Sequence, residues 1–163
     1  MWKKIVLLFG FMLVISSAGA QKGLSVDTLF NDYGRSHGSV LINLGKDVLG
    51  EHTQIDRYKC LVINAETNLA LRIEKAIRHD FVKRGCYGNG IIIKEIHKNG
   101  HLSNASYALG KDNISVVTEY ILYSRNNDKI TLVYLSGRFT SRQLNSELDK
   151  LKNLFIKVYN KQL

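Results

Sequence analysis

GIIIKEIHKNGHLSNASYAL, residues 90–109, is the stretch on which the fold turns. Two runs rich in strand-forming residues flank Asn99-Gly100, the dipeptide best suited to a two-residue type I′ turn, because both of its residues tolerate positive φ. The reading is a β-hairpin, Gly90 to Lys98 against His101 to Leu109. A second pair of runs, Ile114 to Ser124 and Lys129 to Phe139, surrounds Asn126-Asn127-Asp128. With Gly110 to Asn113 as the link, the two hairpins predict a four-strand antiparallel meander.

Working outward, the segment before the meander changes period. From Glu66 to Arg84, residues Leu69, Ile73, Ala76, Ile77 and Phe81 recur at helical spacing, and Gly85 stands where a helix C-terminal cap is wanted. After the meander, Leu144, Leu148, Leu151, Phe155 and Val158 keep a 4-3-4-3 spacing on a helix from Ser141 to about Asn160, with Thr140 and Gln143 fitting a capping box. Val26, Leu29, Phe30 and Tyr33 predict a short helix over Ser25 to Tyr33. Val40 to Leu44 and Tyr58 to Ile63 are β-rich, and Gly45 to Arg57 between them reads as loop or a helical turn. Isolated helices of this length are marginal in water, so each should lay its apolar stripe on the sheet. The expected class is α+β: an antiparallel β-meander of four to five strands with helices packed on one face and the other face partly open.

The first 20 residues have the three-part pattern of a cleavable secretory signal. Lys3 and Lys4 precede an apolar run from Ile5 to Ile15, and Ala18 and Ala20 fit the A-x-A rule before Gln21. That run is about eleven residues, short of the roughly 20 that span a bilayer. Residues 21–163 then form a single α+β domain, without proline, repeats or a linker, and without a transmembrane segment after cleavage. The expected location is the periplasm or the extracellular space. Without Lys3 and Lys4 the chain keeps 21 basic against 14 acidic residues, a formal +7 that favours solubility and anionic partners. Cys60 and Cys86 are the only cysteines. In an oxidising compartment the simplest expectation is one disulfide between them, provided the helix after Cys60 runs back towards the start of its strand.

Few residues carry chemistry. Gly34-Arg35-Ser36-His37-Gly38 matches G-x-S-x-G, but a nucleophile elbow needs a strand before the serine and a helix after it, and here the order is reversed. The motif reads as a flexible turn. Gly85, Gly88 and Gly90 likewise lead from helix to strand, whereas phosphate-cradling loops lead into a helix. Glu95 and His97 share a strand face and His101 opens the partner strand, so these three are the candidates for a metal or acid–base site. Arg72, Lys75, Arg78, His79 and Lys83 form a basic stripe opposite the apolar side of their helix, without interleaved aromatics to stack bases. Asp80 falls on the apolar side of that helix and needs a partner, for which Arg84 at i+4 is the nearest choice. Tyr107, Tyr120, Tyr123 and Tyr134 lie in the meander, where they are either ordinary strand residues or a platform on the uncovered sheet face.

The whole layout, with Leu29-Phe30-Asn31-Asp32-Tyr33, a strand near Val40, and a closing hairpin of Val117-Thr118-Glu119-Tyr120-Ile121-Leu122 and Leu132-Val133-Tyr134-Leu135-Ser136-Gly137, resembles small secreted families of unknown function common in Bacteroides-type gut bacteria. The resemblance implies export and an α+β fold, and no activity. No residue pattern calls for a cofactor. The leading expectation is a non-catalytic exported protein that binds a protein partner or an anionic ligand in the cell envelope through the open sheet face. The alternatives are a small metal-assisted hydrolase or nuclease using Glu95, His97 and His101, and a basic module for anionic glycan or nucleic acid.

Overall fold

A computed structural model describes residues 23–64, 66–85 and 90–161. The leader at 1–20 and Cys86 lie outside the described residues. In chain order the elements are α1 (Ser25–Tyr33), β1 (Val40–Gly45), the short α2 (Lys46–Leu49) with a 3-10 turn over Gly50–His52, β2 (Ile55–Asn64), α3 (Thr67–Gly85), β3 (Gly90–Lys98), β4 (His101–Leu109), β5 (Thr118–Asn126), β6 (Lys129–Gly137), a 3-10 turn over Ser141–Gln143, and α4 (Leu144–Lys161). The fold is α+β, as its patterning implies.

The central hairpin forms as expected. Asn99 and Gly100 both have positive φ, 52° and 79°, the requirement of a type I′ turn. The sheet is larger than four to five strands: six antiparallel strands in the order β1-β2-β6-β5-β4-β3. The N-terminal hairpin joins the meander through β2, which pairs with β6 along its length, from Asn64 opposite Lys129 to Ile55 opposite Gly137. That pairing links residues some 70 positions apart in sequence, a contact no local pattern encodes. Gly45 to Arg57 resolves into α2, the 3-10 turn and the start of β2, while β5 begins only at Thr118, so Ile114 to Val117 belong to the link before it.

Helices cover both faces of the sheet, which corrects the one-face expectation. Successive strand residues point to opposite sides, and here both sides are apolar. Leu61 and Ile63 of β2, Ile121 and Tyr123 of β5 and Ile130, Leu132 and Tyr134 of β6 pack with Val26, Leu29 and Phe30 of α1 and with Ala70, Ile73 and Ile77 of α3. On the other side Cys60, Tyr120, Val133 and Leu135 pack with Leu49 of α2, Phe139, and Leu144 and Leu151 of α4. Tyr107, Tyr120, Tyr123 and Tyr134 are all buried, so the tyrosine platform does not exist: three belong to the α1/α3 core and Tyr120 to the α4 core. The Tyr120 ring stacks on Phe139 at 4.9 Å, and its hydroxyl donates to the Phe139 carbonyl at 2.6 Å.

Two acidic residues hold the helices to the sheet. Asp80, on α3, accepts the N–H groups of Ser25 (2.7 Å) and Val26 (2.9 Å), capping the first turn of α1. The backbone of α1 thus takes up both oxygens of this buried carboxylate; the side chain of Arg84, its expected partner, lies outside what is described. Glu147, on α4, accepts from Thr53 Oγ1 (2.9 Å), Gln54 N (2.8 Å) and Lys150 Nζ (2.6 Å). Its presence shifts the buried stripe of α4: Leu144, Glu147 and Leu151 are buried, whereas Leu148 is half-buried and Phe155 exposed at the edge, 6.5 Å from the Tyr58 ring. At the helix start, Gln143 Oε1 accepts the Thr140 N–H at 3.0 Å, as the capping pattern requires.

Leu151→Ala should therefore cost about 2 to 5 kcal/mol, the range for emptying a packed leucine site, and Leu148→Ala clearly less; urea unfolding of the two variants measures the difference. A second outcome concerns acid. Burial alone would raise the Glu147 carboxyl, but Lys150, the Gln54 N–H and Thr53 outweigh it and hold the pKa below its usual value. A carboxyl depressed in the folded state stabilises fully above its unfolded pKa, and that contribution is lost as pH falls through the lower folded value. Urea midpoints at pH 6 and pH 3 should converge in Glu147→Gln relative to the parent protein, with the variant the less stable of the two at pH 6.

Candidate functional site

The three sequence candidates separate into a pair and an outlier. Glu95 lies opposite Ala105 and His97 opposite Leu102, both on the α1/α3 side of the sheet, while His101 lies opposite Lys98, one step out of phase. Strand alternation therefore sends His101 to the other side. Glu95 Oε1 meets His97 Nε2 at 2.7 Å and the Arg78 guanidinium of α3 at 3.5 Å. His101 instead helps line a depression of about 220 Å³ at the hairpin tips, with Lys98, Ser103, Arg125 and Asn127. Among the described residues no group of three His, Cys, Asp or Glu side chains is arranged to hold a metal ion. The set proposed for metal-assisted hydrolysis is not assembled.

Glu95 instead joins a polar patch that sequence reasoning missed, beneath α3. Burial and the charge of nearby Glu95 push the Tyr107 pKa up to about 12. Tyr123 is likewise pushed up to about 12, by burial and by Glu74. Glu74 Oε1 and the Tyr123 hydroxyl are both buried without a hydrogen-bond partner, a condition that costs about 1 to 3 kcal/mol per group. The signal was present in the spacing, because Glu74 sits beside Ile73 and one turn before Ile77, near the buried stripe of its helix.

A second cluster lies between α1 and α3, which run antiparallel with Ser25 against His79 and Tyr33 against Arg72. Ser25 Oγ is 2.7 Å from His79 Nδ1, and Asp80 Oδ1 is 3.5 Å from that same nitrogen. A catalytic serine, histidine and aspartate need the acid and the nucleophile on opposite ring nitrogens. With both on Nδ1, and both Asp80 oxygens occupied by backbone N–H groups, the trio is a helix clamp. Arg72 donates to the Tyr33 hydroxyl at 2.5 Å and lies 5.6 Å from that ring's centre. Ser25, Arg72 and His79, together with Lys75, border a groove of about 400 Å³.

The remaining motifs are structural. Gly34 to Gly38 forms a tight turn, with Ser36 N bonded to the Tyr33 carbonyl, Ser39 N to the Ser36 carbonyl, and Gly38 at φ 75°. Cys60 is a free, buried thiol on the α4 side, its pKa raised by burial. The helix expected to run back to its strand, α3, instead lies on the opposite face and crosses to β4 and β3. Cys86, the expected partner of Cys60, lies outside the described residues. Among the described residues there is no disulfide.

A third feature is the edge of the sheet. β3 is the last strand, paired among the described residues only with β4, and it exposes Ile91 (38%), Ile92 (52%), Ile93 (36%) and Ile96 (40%). Register shifts between Ile92 and Lys94 and between Ile96 and His97 break its ladder with β4. Ile91 pairs with Ala108 and Ile96 with Asn104, so these two stand on the α4 side, over the part of that face nearest the β3 edge.

No curated protein matches the chain. A family model described as a family of unknown function, DUF6108, matches residues 13–148, which take in α1, the whole sheet, α3 and the start of α4. The chain belongs to that family of unknown function.

Proposed function

We propose that the chain is an exported, non-catalytic binding module whose partner adds an extended, acidic segment to the free edge of β3. The observation that carries this reading is the edge itself: four isoleucines exposed in six positions on a strand with one side of its backbone unpaired. Exposed apolar edges invite another strand, and although two bulges and Lys94 and Lys98 temper this one, they leave its isoleucines uncovered. Strand addition supplies main-chain hydrogen bonds, and alternate side chains of the incoming segment meet Ile91 and Ile96 on one face.

Charge selects the occupant. Lys94 and Lys98 are exposed on β3, whereas Glu95 is engaged by Arg78 and His97. Two copies pairing antiparallel about Ile96 would set Lys94 against Lys98, and like charges directly opposite destabilise a ladder. A segment bearing carboxylates gains where a second copy loses. Export rests on the leader pattern at 1–20 and on the resemblance to Bacteroides-type secreted families; no helix among the described residues is long and apolar enough to cross a membrane.

Mass spectrometry of protein produced with its leader should find the mature chain starting at Gln21, and an intact Met1 would sink the export reading. For the edge, an eight-residue peptide alternating Val and Glu should bind in fluorescence anisotropy, and its Val/Lys counterpart should not. Lys94→Glu should weaken the acidic peptide by roughly tenfold, about 1.4 kcal/mol, without changing the melting temperature. Equal binding of both peptides, or a concentration-dependent dimer broken by Ile96→Lys, would overturn the acidic-partner reading.

A further inference from the structure

We infer that the groove between α1 and α3 is a binding site for a short anionic oligosaccharide, separate from the β3 edge. Its walls are Ser25 and Thr28 on one helix and Arg72, Lys75 and His79 on the other, over a floor of Leu29 and Ala76. No carboxylate lines it. The nearby acids are already committed: Asp27 to Lys59 at 2.8 Å, and Asp80 to the backbone of Ser25 and Val26. Among the described residues, no carboxylate that lines the groove neutralises Arg72 or Lys75, while His79 Nδ1 lies 3.5 Å from Asp80 Oδ1 behind it.

Their spacing indicates what they meet. Positions 72, 75 and 79 fall on one side of α3, and seven residues of helix separate the outer two by roughly 10 Å. A row of that length suits successive charges along a chain better than a single ion. Arg72 is held in place by Tyr33 and His79 by Ser25, so two of the three contacts are ordered before a ligand arrives, which lowers the entropic cost of binding. The Ser25 and Thr28 hydroxyls already bond His79 Nδ1 and the Ser25 carbonyl, both at 2.7 Å, and their remaining lone pairs can accept from sugar hydroxyls. Nucleic acid fits less well, because strand-binding grooves offer aromatic faces to bases, whereas here the ring of Tyr33 is covered by Arg72 and the His79 imidazole is tied to Ser25.

The test uses the mature full-length chain and a sulfated heparin-derived tetrasaccharide, with an oligothymidine of equal charge and inorganic phosphate as comparisons, measured by calorimetry at 50 and 200 mM salt. The tetrasaccharide should bind, more weakly at the higher salt, and more tightly than either comparison. Arg72→Gln with Lys75→Gln should lower its affinity by at least tenfold while the melting temperature is kept, and Lys152→Gln, an exposed lysine on α4, should leave it unchanged. Oligothymidine binding as tightly as the tetrasaccharide would overturn the choice of ligand. An equal loss in Lys152→Gln, or no binding of any probe, would overturn the site. Neither result bears on the β3 edge, whose peptide assay uses different residues.

Discussion

β6 is buried on both of its faces, and the rest of the architecture follows from that condition. Ile130, Leu132 and Tyr134 project to one side and Val133 and Leu135 to the other, all nearly inaccessible to water. A strand with two apolar faces cannot border solvent, so it needs a neighbour on each edge and a cover above and below. β5 arrives through a tight hairpin, but the other edge is closed by β2 from far upstream, and the two covers are α1 with α3 and α2 with α4. The N-terminal third of the chain is thus part of the core rather than an appendage, since α1 and β2 supply what the C-terminal hairpin cannot.

The elements and their order were largely legible from sequence, because they rest on local chemistry: Asn99-Gly100 sets its turn, and the 3.6-residue periods set α1, α3 and α4. The two-faced sheet was legible as well, and misread. Tyr120-Ile121-Leu122-Tyr123 and Leu132-Val133-Tyr134-Leu135 are continuous apolar runs, which signal burial on both faces, whereas a sheet open on one side alternates apolar with polar. What could not be read was the pairing of β2 with β6. Strand partners far apart in sequence are chosen by the register that buries the most side chains on both faces, and no residue within β2 names its neighbour.

The candidate sites were legible only in part, for a related reason. Glu95 and His97 meet because two positions on one strand share a face, a relation the period of 2 supplies. His101 fails to join them because the two-residue Asn99-Gly100 turn pairs it with Lys98, one step out of phase with His97, a consequence the turn itself already carried. The buried acids were harder still. Asp80 and Glu147 each find acceptorless backbone N–H groups 54 and 93 residues away, so their environment is a property of the assembled fold.

Those two carboxylates also explain why the exposed features can differ so much in character without disturbing the core. Asp80 joins α3 to the first turn of α1, and Glu147 joins α4 to the residues that open β2. Each places a charge where removing its partners would leave it buried and unpaired, a penalty of several kcal/mol, so the helices are fixed in position as well as in packing. The groove between α1 and α3 is held by the first clamp and the α4 side of the sheet by the second. β3, at the far edge and touched by neither, keeps a broken ladder and bare isoleucines. Rigidity is concentrated where the sheet is doubly covered, and the strand left outside that cover is the one whose backbone is free to accept another.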